Sequence, residues 1–153
     1  MKKKQKEGRY ERIFNQLEKL LEPHNNPLSA MATIAAILHN KMEHFYWTGF
    51  YLLDDEGELM VGPYQGTVAC IKLAKDTGVC WAAINRKETV IVPDVNKFPG
   101  HIACDSKTNS EIVVPLKDNS GKTVGVLDVD SRNFDSFDET DAKGLENIVG
   151  LIF

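Results

Sequence analysis

No segment of this chain approaches the roughly 20 consecutive apolar residues that span a bilayer. The basic run Met1-Lys2-Lys3-Lys4-Gln5-Lys6 is followed by nothing apolar enough to serve as a signal-peptide core. Charge of one sign is also scarce, since 18 Lys and Arg against 22 Asp and Glu leave a net charge of −4. That balance gives no general attraction to nucleic acid or to anionic lipid. Gly-rich phosphate loops, zinc-protease helices and serine elbows are missing. Cysteine is sparse and odd in number: three in 153 residues cannot all pair within one chain, so a permanent disulfide framework is excluded. Around Cys70, Cys80, His101 and Cys104 the paired short spacings of structural zinc sites are absent. A cytoplasmic protein with thiols reduced at rest, no metal and no cofactor is expected.

What is present reads as one domain over residues 10–153, preceded by a flexible basic terminus at 1–9. Tyr10, Ile13, Phe14, Leu17, Leu20 and Leu21 form one apolar helical stripe. Asn26 and Pro27 open a second helix that runs to about Met42. Phe45 to Leu53 and Glu58 to Tyr64 read as a hairpin about Asp54-Asp55-Glu56-Gly57. Gly66 to Leu73 is ambiguous between loop and short strand. Val79 to Arg86 reads as a short helix, Glu88 to Val92 as a strand, and Pro93 to Lys107 as a long connection. Ser110 to Lys117 and Lys122 to Asp130 make a second hairpin. A capping box of Ser136 with Glu139 starts the last helix. Consecutive hairpins require antiparallel pairing, so the class is α+β, one antiparallel sheet with helices packed on it.

Three groups of residues can carry chemistry. Loops beyond about 12–15 residues are often functional, and the long connection holds Gly100, His101 and Cys104. If Cys104 heads a helical turn, His101 one turn earlier faces it, and an imidazolium there would favour the thiolate. The alternative is a small buried apolar side chain. Asp128 and Asp130 alternate along an apolar strand, so both point to one face, and Glu111 begins the partner strand. Three carboxyls on one sheet repel unless a cation or a shared proton intervenes. They suit a substrate ammonium, or one of them stays protonated as a general acid; a solvated acidic face is the plainer possibility. In the aromatic run, Phe45, Trp47, Gly49 and Tyr51 share one face and Tyr46, Thr48 and Phe50 the other. Such a strand is often core, but an indole beside carboxylates also suits a cation or a polarizable sulfur.

Taken together, Trp47-Thr48-Gly49-Phe50-Tyr51, Gly62-Pro63-Tyr64-Gln65-Gly66, Ala69-Cys70, Gly78-Val79-Cys80, Val92-Pro93-Asp94-Val95, His101-Ile102-Ala103-Cys104-Asp105, Ser110-Glu111-Ile112-Val113-Val114-Pro115 and Gly125-Val126-Leu127-Asp128-Val129-Asp130-Ser131 resemble the free methionine-(R)-sulfoxide reductases, enzymes built on a single GAF domain. The resemblance implies a GAF-like fold, Cys104 as nucleophile, Cys70 as resolving cysteine and Cys80 as an auxiliary third. It implies that Glu111, Asp128 and Asp130 bind substrate and move protons, with Trp47 beside the methyl-sulfur end; Tyr51 is a further substrate-binding candidate. Free methionine sulfoxide would be the substrate and thioredoxin the reductant, with a homodimer through the terminal helices in keeping with GAF precedent. The competing expectation is a noncatalytic GAF module that binds a small ligand or senses oxidants through its thiols.

Overall fold

Helix α1 (Lys3–Leu21) buries Lys6, Tyr10, Ile13 and Leu17 and turns its Glu, Gln and other Lys residues outward. The computed structural model describes residues 1–101 and 104–153. Helix α2 (Pro27–Lys41) starts where the sequence places it: the Asn26 side chain accepts from the Ser29 N–H, and Pro27 occupies the first turn. Strands β1 (Trp47–Leu53) and β2 (Leu59–Gln65) form the first hairpin, and β3 (Lys72–Leu73) is a two-residue strand beside β2. Helix α3 (Gly78–Arg86) and strand β4 (Val90–Val92) precede a single turn of 3-10 helix at Val95–Lys97. Strands β5 (Ser110–Lys117) and β6 (Thr123–Ser131) form the second hairpin, and helix α4 (Glu139–Val149) follows.

The sheet has six strands in the order β3-β2-β1-β6-β5-β4, every described pair antiparallel. Period-two alternation divides its residues between two cores. Phe50, Ile112, Val114, Leu116, Leu127 and Val129 face α1, α2 and α4. Trp47, Tyr51, Val113 and Val126 face α3 and the connections around it. Asp128, Asp130 and Glu111 belong to that second face, so the helical layer is a foundation and the α3 side carries the polar groups. Phe45 lies before β1 and packs with the first core, while Tyr46 packs against the second, so the alternation expected from Phe45 holds only from Trp47 onward.

Two expectations at the ends of helices need correction. The segment 1–9, expected to be flexible, is helical from Lys3. The reason is Lys6, whose Nζ reaches Asp141 Oδ2 at 2.5 Å and the Ser136 carbonyl at 3.2 Å. The cap of α4 is Asp138, which accepts from the Thr140 and Asp141 N–H groups, with Asp141 rather than Glu139 completing the box. Ser136 instead bonds Ser131 Oγ at 2.7 Å.

Asp141 is fully buried and also accepts from Tyr10 OH at 2.6 Å, with His44 Nε2 3.6 Å away. Burial alone would raise its pKa; the His44, Lys6 and Tyr10 side chains and the Asp138 N–H overcome that and hold it at about 2. A depressed folded pKa confers stability that is complete above the ordinary Asp value near ~4 and lost as pH falls toward about 2. Asp141→Ala leaves the Tyr10 hydroxyl unpartnered and strips the buried Lys6 ammonium of its buried counter-ion, leaving it the Ser136 carbonyl and the more exposed Asp138. It is expected to lower unfolding free energy by about 3 kcal/mol in urea titration at neutral pH. The loss should shrink as the pH is taken down toward 2; a deficit that stays constant with pH would contradict the ion-pair account.

Candidate active site

The register of β5 on β6 sets Glu111 opposite Asp130 and Val113 opposite Asp128. Glu111 and Asp128 are 6% and 5% exposed, too little for water to solvate two carboxylates. Asp128 Oδ1 and Asp130 Oδ1 are both buried with no hydrogen-bond partner among the described residues. Burial is the largest influence on all three carboxyls and raises each pKa. Repulsion from Asp128 and Asp130 adds to this at Glu111, and repulsion from Asp128 adds to it at Asp130. At Asp128, hydrogen bonding with Glu111 and Asp130 offsets part of the rise. The cluster therefore keeps protons at a pH where ordinary carboxyls have lost them, and those protons belong to the group rather than to one residue.

Cys80 sits in the first turn of α3 and is buried against this cluster. A helix N-terminus ordinarily favours a thiolate. Here burial, reinforced by Asp128, Glu111 and Asp130, pushes the thiol well up instead. Cys80 is therefore a protonated, poorly nucleophilic thiol.

Trp47 pairs with Asp130 across β1 and β6, which sets the indole beside the carboxyls. Its ring stacks on Tyr51 at 5.7 Å and on Tyr64 at 5.2 Å, and its Nε1 donates to the Thr67 carbonyl at 2.9 Å. Two glycines make room for it. A Cβ on Gly49 would lie 2.7 Å from the Trp47 ring, and one on Gly66, whose φ is +120°, would lie 2.9 Å from it. Tyr51 OH donates to the Cys70 carbonyl at 3.3 Å. Burial, then the charges of Asp128, Cys80, Asp130 and Glu111, raise the Tyr51 pKa, so this phenol stays a donor.

Cys70 and Cys104 are joined by a disulfide across a 5.7 Å Cα–Cα separation, inside the usual range for such a bridge. The pair expected to rest reduced is thus oxidised here, and Cys80 is left as the free thiol. Asp105 stitches the two cysteine-bearing loops together. Its Oδ2 accepts from Thr67 Oγ1 and from Tyr46 OH, each at 2.7 Å, and its Oδ1 accepts from the Lys107 N–H at 2.9 Å. Those bonds, the Lys107 N–H first, lower its pKa and keep it an acceptor.

Between the loops and the sheet lies a cavity with an empty volume of about 610 Å³, its open mouth included. Trp47, Tyr51, Cys80, Glu111, Asp128 and Asp130 line its depth, and His101, Cys104 and Asp105 its rim. Exposed Cys104 therefore shares one cavity with the proton-holding carboxyls.

The GAF domain model matches residues 27–152. A GAF domain-containing protein A of Dictyostelium discoideum is 48% identical over 147 residues, 96% of this chain and 92% of its own. The free methionine-R-sulfoxide reductase of Escherichia coli is 41% identical over 125 residues, 82% of this chain and 74% of its own. The crystal structure of the free methionine-R-sulfoxide reductase of Neisseria meningitidis, in complex with its substrate, superposes with a TM-score of 0.88 at 39% identity, covering 94% of this chain and 85% of that one. The chain belongs to the free methionine-R-sulfoxide reductase family, on a GAF fold.

Of the residues singled out in the sequence of this family member, the cavity collects Trp47, Tyr51, Cys80, Cys104, Glu111, Asp128 and Asp130. Cys70 reaches it through its bond to Cys104. The plainer possibility for the strand, an acidic face open to water, does not hold, because Asp128 is buried. His101 stands at the rim, but burial lowers its pKa, so it is a neutral imidazole and not the imidazolium expected beside Cys104. The helical turn expected over 101–104 runs through 102 and 103, which lie outside the described residues. Sequence reasoning passed over the roles of Tyr46, Thr67 and Asp105, whose contacts span 38 to 59 residues of chain. No helix of the described residues is long and apolar enough to cross a membrane.

Proposed function

We propose that this chain reduces free L-methionine-(R)-sulfoxide to L-methionine in this cavity. The observation that carries the reading is the disulfide at the rim of a recess floored by carboxyls that retain their protons. In the reduced enzyme the Cys104 thiolate attacks the sulfoxide sulfur while Glu111, protonated, gives its proton to the oxygen. The hydroxyl then passes from the substrate sulfur to the Cys104 sulfur as the bond between the two sulfurs breaks and its electron pair goes to the substrate, so methionine leaves and Cys104 holds the oxygen as a sulfenic acid. Cys70 displaces that oxygen as water and closes the disulfide. A dithiol protein, thioredoxin, reopens it by exchange. Two thiols are oxidised for each sulfoxide reduced, and the oxygen departs as water.

Asp128 and Asp130 hold the substrate ammonium, and Trp47 with Tyr51 covers the methyl-sulfur end. An ammonium clamp rejects methionine within a peptide, whose amide nitrogen carries no charge. A reducing compartment that supplies the dithiol, the cytoplasm, is the setting this chemistry fits. The R preference rests on family membership, and the Neisseria relative bound to its substrate supports the choice of ligand.

The reading is tested by offering purified protein each free methionine sulfoxide diastereomer with dithiothreitol and measuring methionine by chromatography. Methionine is expected from the R form, with at least about 100-fold less from a peptide-bound sulfoxide, the discrimination a charged contact supports. Absence of methionine from both diastereomers would return the chain to the noncatalytic, oxidant-sensing reading.

A further inference from the structure

The inner end of the cavity gathers a donor set that the reduction does not require as a set. Cys80 Sγ, one carboxylate oxygen of Glu111 and one of Asp128 all lie within 4.8 Å of one another, and all three side chains are buried. Asp128 Oδ1 and, beside it, Asp130 Oδ1 are buried without a hydrogen-bond partner among the described residues. An unpartnered buried carboxylate oxygen is costly unless something with positive charge or a proton reaches it.

A tetrahedral cation with about 2.3 Å to sulfur and about 2.0–2.2 Å to oxygen holds its donors roughly 3.5 Å apart. Side-chain movement of about 1 Å brings these three atoms to that spacing. Thiolate with carboxylates suits Zn²⁺ and Co²⁺ and is a poor set for Mg²⁺ or Ca²⁺, which take oxygen ligands only. Cys104 is not among the three, so the state of the Cys70–Cys104 pair does not decide whether the site exists.

We propose that Cys80, Glu111 and Asp128 form a binding site for one thiophilic divalent cation of the Zn²⁺ class, and that the ion excludes the sulfoxide substrate from the cavity. Asp130 or water supplies the fourth ligand. On binding, the Cys80 thiol proton and any proton held on the carboxyls pass to solvent. The protein would thereby be silenced by free zinc without oxidation of its thiols. The exclusion of substrate rests on the proposed function, because it assumes that Glu111 and Asp128 also meet the sulfoxide; the metal site itself does not.

The oxidised chain provides a direct test, because its disulfide leaves Cys80 as the free thiol. Co²⁺ alone is titrated into oxidised protein and sulfur-to-cobalt charge-transfer absorption is recorded. One Co²⁺ per chain is expected, displaced by one equivalent of Zn²⁺. Cys80→Ser should abolish the band, and Asp128→Asn should weaken Co²⁺ binding by about tenfold or more, with folding of both checked by circular dichroism. Free methionine sulfoxide, added without reductant, should lower the apparent affinity for Co²⁺. A band that never saturates, one that survives in Cys80→Ser, or an unchanged affinity in Asp128→Asn overturns the site. A normal band that methionine sulfoxide leaves unmoved overturns the exclusion. No turnover is read, so the outcome is separable from that of the reductase assay.

Discussion

Cys104→Ser is expected to yield no methionine above background even in a single turnover, a loss of about 10³-fold or more in the rate of the first chemical step. The argument is a comparison of three sulfurs. Cys80 lines the cavity but is buried, with its thiol pushed well up by that burial and by the adjacent carboxyls. Cys70 is not among the cavity's lining residues, and its sulfur is tied to the cavity through its bond to Cys104. Cys104 alone combines exposure with a place on the rim. A serine oxygen there stays protonated at neutral pH and has far less affinity for a sulfoxide sulfur than a thiolate has.

Cys70→Ser gives the contrast that makes this test specific. With thioredoxin as sole reductant it should release about one methionine per chain and then stall, because the sulfenic acid on Cys104 has lost its bonding partner and the remaining thiol, Cys80, is buried and pushed well up. If Cys104→Ser instead gave a full first turnover, the attacking sulfur would have to be Cys80. The carboxyls would then serve to activate it rather than to hold substrate.

The sequence made the frame of this site legible and left its fastening hidden, for a physical reason. Period-two alternation is a local property, so Asp128 and Asp130 could be placed on one face, with Glu111 at the start of the partner strand, without knowing the fold. The Asn26 cap and Pro27 were equally local and proved accurate. Burial is not local. Whether Asp128 meets water depends on α3 packing over the sheet, which no pattern within β6 encodes. For the same reason the N-terminal lysines read as a frayed arm, because Asp141 lies 135 residues away from Lys6. Asp105, which ties both cysteine loops to Tyr46, carried no signal beyond following Cys104.

Glu111→Gln should lower kcat by about 10²- to 10³-fold while preserving the fold, which separates proton donation from packing. The amide has nearly the carboxyl's shape but no acidic proton to give to the departing oxygen. The pH profile carries the sign. A carboxyl whose pKa is raised by burial and by Asp128 and Asp130 acts as an acid below that pKa, so wild-type kcat is expected to fall as pH rises through it. Glu111→Gln should be slow and should lack that descending limb. Toward lower pH, protonation of Asp128 and Asp130 removes the charge that meets the ammonium, so KM should rise there in both proteins. Stability supplies the independent check. A folded pKa above the unfolded value near ~4.3 confers stability that is full below that value and lost as pH rises through the folded one. Replacing the carboxyl with an uncharged amide removes that loss, so Glu111→Gln should be at least as stable as wild type at alkaline pH while remaining crippled in turnover. A variant that is both fully active and less stable at high pH would make Glu111 a structural residue and leave the sulfoxide oxygen without its proton donor.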